Sequence, residues 1–289
     1  MDHHRQPPLT RPKKATIVTH ASALINSDPT ALNPIIFCGA GPGDPDLITV
    51  KGQQALAAAD LVVYAGSLVP EALLKWTRPE CRHLSSAGLH LDEMVSTMAD
   101  AWQAGRKVVR LHTGDPCLYG AIFEQMAQLS QRDIPYTVIP GVTAAFAAAA
   151  ALGVEYTLPE ISQTLILTRM AGRTPVPESE SLASLAAHRT TMAIYLSISM
   201  VDEMTRILSK AYGTDGACAV VYRASQPDQK IIWTTAGQLA ETVKKEKITR
   251  TALVVVGRVL DVSLEALVHR SRLYDRHFAH GYREAENHQ

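Results

Sequence analysis

Four side chains in this sequence have the chemistry and the local setting to act on a ligand. His112 could serve as an acid or a base, although a histidine at a strand end is more often structural. Asp115 is expected either to accept hydrogen bonds from a ligand or to cap the helix that follows it. Arg169 and Arg173 flank a loop in which guanidinium groups could clamp carboxylates, the alternative being a solvated loop. By spacing alone, no catalytic triad, Cys-His pair or metal-ligand cluster is evident.

The glycine-rich stretch 39–45 (GAGPGDP) follows a short apolar run and narrows the choice of ligand. It departs from the dinucleotide fingerprint G-x-G-x-x-G, because Asp44 stands where the third glycine is required. Pro42 and Pro45 remove backbone N–H donors that a pyrophosphate would need, and the Asp44 carboxylate would repel it. The loop therefore favours a ligand with little negative charge, and S-adenosylmethionine fits better than NAD. The alternative is a tight structural turn.

Three glycine-bearing loops follow predicted strands in the first half of the chain, at 39–45, 114–116 and 141–143. Loops of this kind gather at the carboxyl ends of the strands in an open parallel sheet, which is where ligands bind. We therefore expect the three loops to form a single site. Thr143, in the third loop, is expected to bond the ligand, to cap the alanine-rich helix after it, or to do both.

The elements that must position these loops are apolar strands alternating with helices, which indicates an α/β fold with a mainly parallel sheet. In the first half the predicted strands are 35–38, 61–64, 107–111 and 136–139, and the predicted helices are 49–60, 69–76, 91–104, 119–130 and 144–152. In the second half the predicted strands are 164–168, 192–196, 217–222, 230–234 and 252–256, with helices at 201–210 and from 236. The short connection 223–229 predicts an antiparallel pair.

Length and composition suit two α/β domains. We predict a flexible leader at 1–33, a first domain at 34–145, a second at 146–260 and a tail at 261–289. With 289 residues, a hydrophobic content of 46% and a formal net charge of zero, the chain shows no sign of nucleic-acid binding. The four cysteines form no C-x-x-C pair, and no apolar run is long enough to span a bilayer. These features predict a cytoplasmic protein without a membrane partner.

The strings GAGPGDPDLIT at 39–49, GDP at 114–116 and PGVTA at 140–144 together resemble the tetrapyrrole (corrin/porphyrin) methylases. The resemblance covers about residues 35 to 260. Within the family, VRLHTGDPCLYGAI at 109–122 and TRMAGRTPVPE at 168–178 are similar to the branch that methylates C11 of precorrin-4 in cobalamin synthesis. Cys117 stands where this branch is expected to have a small serine, which is a mild departure.

This resemblance implies two α/β domains with an active site in the cleft between them, a homodimer, and S-adenosylmethionine as methyl donor. The contacts that it implies for the methyl donor are Pro42, Thr113, Gly114, Asp115, Leu118, Thr143, Ala144, Leu196 and Ala224, with Thr251 and Ala252 as weaker candidates. It implies an acidic tetrapyrrole as substrate, for whose carboxylates Arg169 and Arg173 are the candidate partners. The alternatives are methylation of another tetrapyrrole such as uroporphyrinogen III, an NAD(P)-dependent oxidoreductase, and a nucleotide-sensing binding protein.

Overall fold

The computed structural model describes residues 33–263 and 275–284. The chain divides into two compact units between Thr143 and Ala144, and each unit contains one five-stranded sheet. The predicted α/β class is thus confirmed. All but the last residue of the predicted leader, and most of the predicted tail, lie outside the described residues. Within the described ranges, no helix has both the length and the apolar character needed to cross a membrane.

The first unit alternates strands and helices. Its elements are β1 (Ile35–Gly39), α1 (Val50–Ala58), β2 (Leu61–Tyr64), β3 (Arg82–Ser85), α2 (Leu91–Gln103), β4 (Val108–His112), α3 (Ile122–Gln131) and β5 (Tyr136–Ile139). Two 3-10 helices, Pro45–Leu47 and Glu71–Trp76, lie in the connections. Thr49, where the predicted helix begins, is the N-cap of α1, since its side chain accepts a hydrogen bond from Gly52 N at 3.1 Å.

The sheet of the first unit has the strand order β3-β2-β4-β1-β5, and all of its pairs are parallel. The carboxyl ends of all five strands therefore lie at one edge. Phe37 and Val63 belong to an apolar cluster on one face, and Cys38 and Val62 belong to a second cluster on the other face. This burial on both faces explains why the central strands are apolar without alternation.

Three differences from the prediction have local causes. The predicted helix 69–76 is a 3-10 helix that begins at Glu71, after Pro70 at its N-cap. The strand Arg82–Ser85 was not predicted, because it is a largely exposed edge strand and has little apolar signal. The helix predicted at 119–130 begins only at Ile122, since Tyr119 and Ala121 have left-handed backbones, with φ of 57° and 49°.

Among its described residues the second unit contains four α-helices, five strands and three 3-10 helices, the last at Glu178–Glu180, Ile198–Met200 and Arg258–Asp261. The α-helices and strands are α4 (Ala144–Leu152), β6 (Leu165–Arg169), α5 (Leu182–Ala186), β7 (Thr191–Tyr195), α6 (Val201–Tyr212), β8 (Ala217–Tyr222), β9 (Lys230–Thr235), α7 (Leu239–Lys245) and β10 (Ala252–Val256). The short helix α5, which Ser181 caps, was not predicted. A five-residue helix is too short to give a clear hydrophobic period.

The second sheet is mixed, in the order β6-β7-β10-β8-β9. Strands β6 and β7 are parallel, whereas β10 runs antiparallel to both β7 and β8. The predicted antiparallel pair is confirmed as β8 and β9. Because Ala252 pairs with Tyr222, the start of β10 and the ends of β6, β7 and β8 lie at one edge of this sheet. The mainly parallel sheet expected from the first half of the chain is thus confirmed in the first unit.

Candidate functional site

Three glycines bring the loops after β1, β4 and β5 into direct backbone contact. A Cβ atom at Gly39 would lie 2.5 Å from the Cα of Gly141 and 2.6 Å from the carbonyl oxygen of Gly114. A Cβ atom at Gly141 would lie 2.1 Å from that same oxygen. Gly41 and Gly114 also exchange backbone hydrogen bonds of 3.2 and 2.8 Å. The three loops therefore meet at one edge, as the sequence predicts, and only glycine allows this approach.

Asp115 joins two of these loops through its carboxylate. One oxygen accepts a hydrogen bond from Cys117 N at 2.8 Å, and the other accepts one from Gly141 N at 2.9 Å. The residue does not cap α3, whose N-cap is Ala121, without a side-chain hydrogen bond. Each carboxylate oxygen can accept more than one hydrogen bond, so Asp115 can bind a ligand while it holds the loops together.

The first glycine loop is supported by residues that sequence reasoning did not assign to the site. Asp44 accepts a hydrogen bond from Asp46 N at 2.9 Å and caps the 3-10 helix Pro45–Leu47. Trp76 donates its indole N–H to the carbonyl oxygen of Pro45 at 3.2 Å. Lys75 pairs with Asp46 at 3.0 Å. Pro42 is buried within this supported loop. In the sequence, the only indication that this loop is supported is the presence of Lys75 and Trp76 at the end of the predicted helix 69–76.

His112 is the last residue of β4, and its side chain is buried, with 4% exposed. Its Nε2 atom has no hydrogen-bond partner among the described residues. Burial, together with the nearby positive charge of Arg110, lowers the pKa of His112 to about 3. The imidazole is therefore neutral near pH 7 and is a weak base. This setting favours the structural interpretation of His112 over the catalytic one.

The loop between β4 and α3 carries Thr113, Gly114 and Leu118, three of the predicted donor contacts. Thr113 and Leu118 are half-buried. Leu118 N donates to the carbonyl oxygen of Asp115 at 3.2 Å. Gly114, like Tyr119 and Ala121, has a left-handed backbone. The loop is therefore tightly folded, and it presents partly exposed side chains next to the glycine contact.

In the second unit, the predicted residues Leu196, Ala224 and Ala252 lie at the edge where β7, β8 and β10 meet. Leu196 has a φ of 53° and is 65% exposed. Thr251 has a φ of 54°, which is an outlier for a β-branched residue, and its carbonyl oxygen accepts a hydrogen bond from Arg223 N at 2.9 Å. Strained backbone of this kind concentrates at ligand sites. The role of Leu196, Ala224, Thr251 and Ala252 as contacts of the methyl donor stays a prediction.

Thr143 directly precedes α4 and is buried, and Ala144 is the first residue of that helix. Within the second unit this turn is held by two tyrosines. Ala145 N donates to the Tyr195 hydroxyl at 2.9 Å, and the Tyr156 hydroxyl donates to the carbonyl oxygen of Ala145 at 2.7 Å. Sequence reasoning gave neither tyrosine a role, because a contact across 50 or 11 residues leaves no local pattern.

The two candidate arginines have different environments. The Arg169 guanidinium donates to the carbonyl oxygens of Met170, Thr174 and Pro175, at 3.2, 2.9 and 2.9 Å. It therefore organises its own loop. Arg173 is exposed in that loop and forms no ion pair with any described residue. Arg173 is thus the more available cation for a substrate carboxylate.

The described residues contain no group of three or more His, Cys, Asp or Glu side chains placed to hold a metal ion. The edge of the first unit instead offers backbone N–H and C=O groups, hydroxyls and the Asp115 carboxylate. These groups can bind a polar ligand and orient it. Among the candidate residues, none combines exposure with the activated setting that covalent catalysis needs.

Comparison with known proteins places the chain in a family. The family model "Tetrapyrrole (Corrin/Porphyrin) Methylases" matches residues 34–240. The chain is 50% identical over 252 residues to the cobalt-precorrin-4 C(11)-methyltransferase of Methanocaldococcus jannaschii, which covers 87% of this chain and 96% of that protein.

Two solved structures show the same fold. An X-ray structure of a cobalt precorrin-4 methyltransferase superposes with a TM-score of 0.77 at 46% identity, covering 79% of this chain and 96% of that one. The uroporphyrin-III C-methyltransferase of Thermus thermophilus, complexed with S-adenyl homocysteine, gives 0.67 at 25% identity, with coverage of 80% and 100%. With its glycine loops and its two sheets, the chain belongs to the tetrapyrrole methylases.

Proposed function

We propose that this protein transfers a methyl group from S-adenosylmethionine to C11 of precorrin-4, or of its cobalt complex, in cobalamin biosynthesis. The observation that carries the proposal is the edge at which Gly39, Gly114 and Gly141 meet and Asp115 joins two loops. The proposal is also supported by the 50% identity, over 252 residues, to a protein named cobalt-precorrin-4 C(11)-methyltransferase.

The chemistry of this edge suits S-adenosylmethionine. The ligand has an adenosine, an amino-acid end and a positively charged sulfonium, and it lacks the pyrophosphate of NAD. Backbone groups of the glycine loops can bind its polar edges closely, since no side chains intervene. The Asp115 carboxylate complements a cationic ligand and would oppose a pyrophosphate. The residues proposed to hold it remain Pro42, Thr113, Gly114, Asp115, Leu118, Thr143, Ala144, Leu196, Ala224 and Ala252.

The reaction needs orientation more than activation. The methyl group on a sulfonium is already electrophilic, and the nucleophile is an electron-rich carbon of the macrocycle. The protein has to hold that carbon in line with the S–CH₃ bond at about 3–3.5 Å, and orientation of this kind can contribute roughly 7–11 kcal/mol of the barrier. No covalent intermediate with the protein is required. His112, with its lowered pKa, is poorly suited to remove a proton in this step.

Recognition of the substrate rests on its acidic side chains. Precorrins carry acetate and propionate groups, which an arginine can bind through paired hydrogen bonds. Of the two proposed partners, Arg173 is exposed and free of ion pairs with the described residues, whereas Arg169 supports the loop that carries it. We assign Arg173 to direct contact with a carboxylate and Arg169 to holding the loop in place.

A cytoplasmic location and a homodimeric assembly complete the proposal. The location is supported by four free cysteines, which suit a reducing compartment. The homodimer is supported by the resemblance to the family. Sedimentation of the purified protein would test the assembly, since a monomer at micromolar concentration would exclude it.

Calorimetric titration tests the donor site first. The wild-type protein and Asp115→Ala would each be titrated with S-adenosylmethionine, S-adenosylhomocysteine and NADP. We expect binding of the first two, no binding of NADP, and weaker binding by the variant. NADP binding without S-adenosylmethionine binding would instead favour an oxidoreductase.

Transfer of labelled methyl then tests the acceptor. Precorrin-4, its cobalt complex and uroporphyrinogen III would be compared as substrates at equal concentration. Product methylated at C11 is expected from precorrin-4 or its cobalt complex. Transfer to uroporphyrinogen III alone would contradict the proposed substrate while leaving the methyl donor correct.

A further inference from the structure

Arg110 is a buried cation in the middle of β4. Only 5% of the residue is exposed, and it lies two residues before His112 on the same face of the strand. None of the described carboxylates lies within ion-pair distance of it. Burial lowers the pKa of Arg110 to about 10. A buried charge without an opposite partner is costly, so the hydrogen bonds that it makes are the place to look for its role.

Arg110 bonds to two other elements of the first unit. Its Nη1 donates to the carbonyl oxygen of Val63, in β2, at 3.2 Å. Its Nε donates to the side-chain oxygen of Gln125, in the first turns of α3, at 3.3 Å. Arg110 therefore links β4 to β2 and α3, below the edge that carries the glycine loops.

Gln125 extends this link to the end of the loop 113–121. The residue is 3% exposed, and its Nε2 donates to the carbonyl oxygen of Ala121 at 3.0 Å. A guanidinium has only donors, so it requires the amide oxygen of Gln125 to face it. The NH₂ group of Gln125 must then face Ala121. Arg110 therefore fixes the direction of both hydrogen bonds: Arg110 donates to Gln125, and Gln125 donates to Ala121.

The loop end that Gln125 holds has a strained backbone. Ala121 has a φ of 49° and Tyr119 a φ of 57°, where residues with a side chain are disfavoured by about 1–2 kcal/mol each. Gly120, between them, faces the carbonyl oxygen of Pro116, which lies 2.1 Å from the position of its absent Cβ. Ala121 caps α3 without any side-chain hydrogen bond of its own. This conformation therefore depends on contacts from outside the loop.

We propose that Arg110 and Gln125 are positioning residues that hold the far end of the loop 113–121, so that Asp115 and Leu118 are in place to bind the methyl donor. The near end of the loop is held by β4 itself, which also carries Arg110. The inference rests on the proposed function, because it assigns a purpose to the loop as part of the donor site.

Gln125→Glu separates positioning from stability. The new carboxylate still accepts from Arg110, and the bond becomes charge-assisted, but it has no N–H to donate to Ala121. We expect an unchanged or higher Tm, together with a threefold to tenfold weaker affinity for S-adenosylhomocysteine, which corresponds to the loss of about one hydrogen bond. Amide hydrogen exchange in residues 117–121 should become faster. The control is Gln131→Glu, which makes the same change at an exposed position of α3 and should alter neither the affinity nor the exchange.

Arg110→Met provides the second test, because it removes the buried charge and keeps an unbranched side chain of similar length. Because none of the described carboxylates pairs with Arg110, removal of its charge leaves no opposite charge buried without a partner. We therefore expect a Tm within a few degrees of wild type, a similar loss of affinity, and the same faster exchange in residues 117–121.

The outcomes separate the inference from the proposed function. If the wild-type protein fails to bind S-adenosylhomocysteine, both are wrong. If it binds, and Gln125→Glu and Arg110→Met bind equally well, the positioning role is wrong and the proposed function stands. If affinity falls only in step with Tm in both variants, the two residues are structural, which also overturns the inference.

Discussion

At the scale of single residues, Gly141 has the least room of the three glycines that meet at the first edge. An alanine there would place its Cβ 2.1 Å from the carbonyl oxygen of Gly114. We expect Gly141→Ala to force the loops apart, to destabilise the fold by roughly 1–3 kcal/mol, and to abolish detectable binding of S-adenosylhomocysteine. Urea denaturation and calorimetry measure the two effects.

The matched control for this change is Gly88→Ala, because no atom lies within 4 Å of the Cβ position at Gly88. This variant should bind S-adenosylhomocysteine as the wild type does. Wild-type affinity in Gly141→Ala would show that the contact between the loops does not matter for the ligand.

The burial of His112 predicts how the stability of the fold depends on pH. Its pKa in the folded protein is lowered to about 3, whereas the unfolded chain takes up the proton near the ordinary value of about 6.5. The unfolded state therefore binds more protons between these values, and stability falls as the pH falls from 6.5 toward 3. His112→Gln removes this contribution. Between pH 7 and 5.5, the wild type should lose roughly 1 kcal/mol more than the variant in urea denaturation.

The control for the pH experiment is His188→Gln, since His188 is exposed. Its stability should follow that of the wild type through the same pH range. Parallel curves for the wild type and His112→Gln would mean that His112 takes up its proton as readily in the folded protein as in the unfolded chain, contrary to its burial.

At the scale of elements, the 3-10 helix Glu71–Trp76 supports the first glycine loop. Trp76→Phe keeps an aromatic ring but removes the N–H that donates to Pro45 at 3.2 Å. The loss of this hydrogen bond should cost about 1 kcal/mol of stability and weaken binding of S-adenosylhomocysteine a few-fold, because the loop 39–45 loses a support. Thermal denaturation and calorimetry check both.

Trp233→Phe is the comparison variant. It makes the same change on the edge strand β9, where Trp233 is 52% exposed. Neither its stability nor its affinity should change by a similar amount. Equal effects in the two variants would show that the hydrogen bond from the Trp76 indole N–H to Pro45 does not account for the loss of stability and affinity.

The elements also show where sequence patterns stop being informative. The glycine loops and Asp115 could be predicted, because dense glycine and proline after an apolar strand have few structural meanings. The link from Arg110 through Gln125 to Ala121 could not, since it depends on which side chains face each other once β4 and α3 are packed. The strand Arg82–Ser85 was missed for the same reason: its place at a sheet edge comes from pairing with β2 rather than from its own residues.

At the scale of the whole chain, balanced charge is the dominant property. With 28 basic and 28 acidic residues the sequence pI is about 7.2. Proteins near zero net charge repel one another weakly. We expect self-association, measured by static light scattering, to be greatest near pH 7 and to fall at pH 9.

Strand β9 is one place where such association can begin. It lies at an edge of its sheet and exposes Ile231 and Trp233, and no charged residue or proline interrupts its central residues. Trp233→Lys should therefore reduce light scattering at pH 7 more than Val50→Lys, which adds the same charge at another exposed position. Equal effects of the two variants would attribute the change to net charge alone.

The contact between Gly39, Gly114 and Gly141 has a consequence for engineering the enzyme toward new methyl acceptors. These positions are unsuitable for substitution, because a Cβ atom at Gly39 or Gly141 would overlap backbone atoms and Gly114 has a φ of 60°, which disfavours residues with a side chain. A combinatorial library that includes them would consist largely of inactive clones. Substitutions are better introduced at partly or fully exposed side chains near the two edges, such as Leu118, Arg173 and Leu196. The glycines that bring the loops together should be left unchanged.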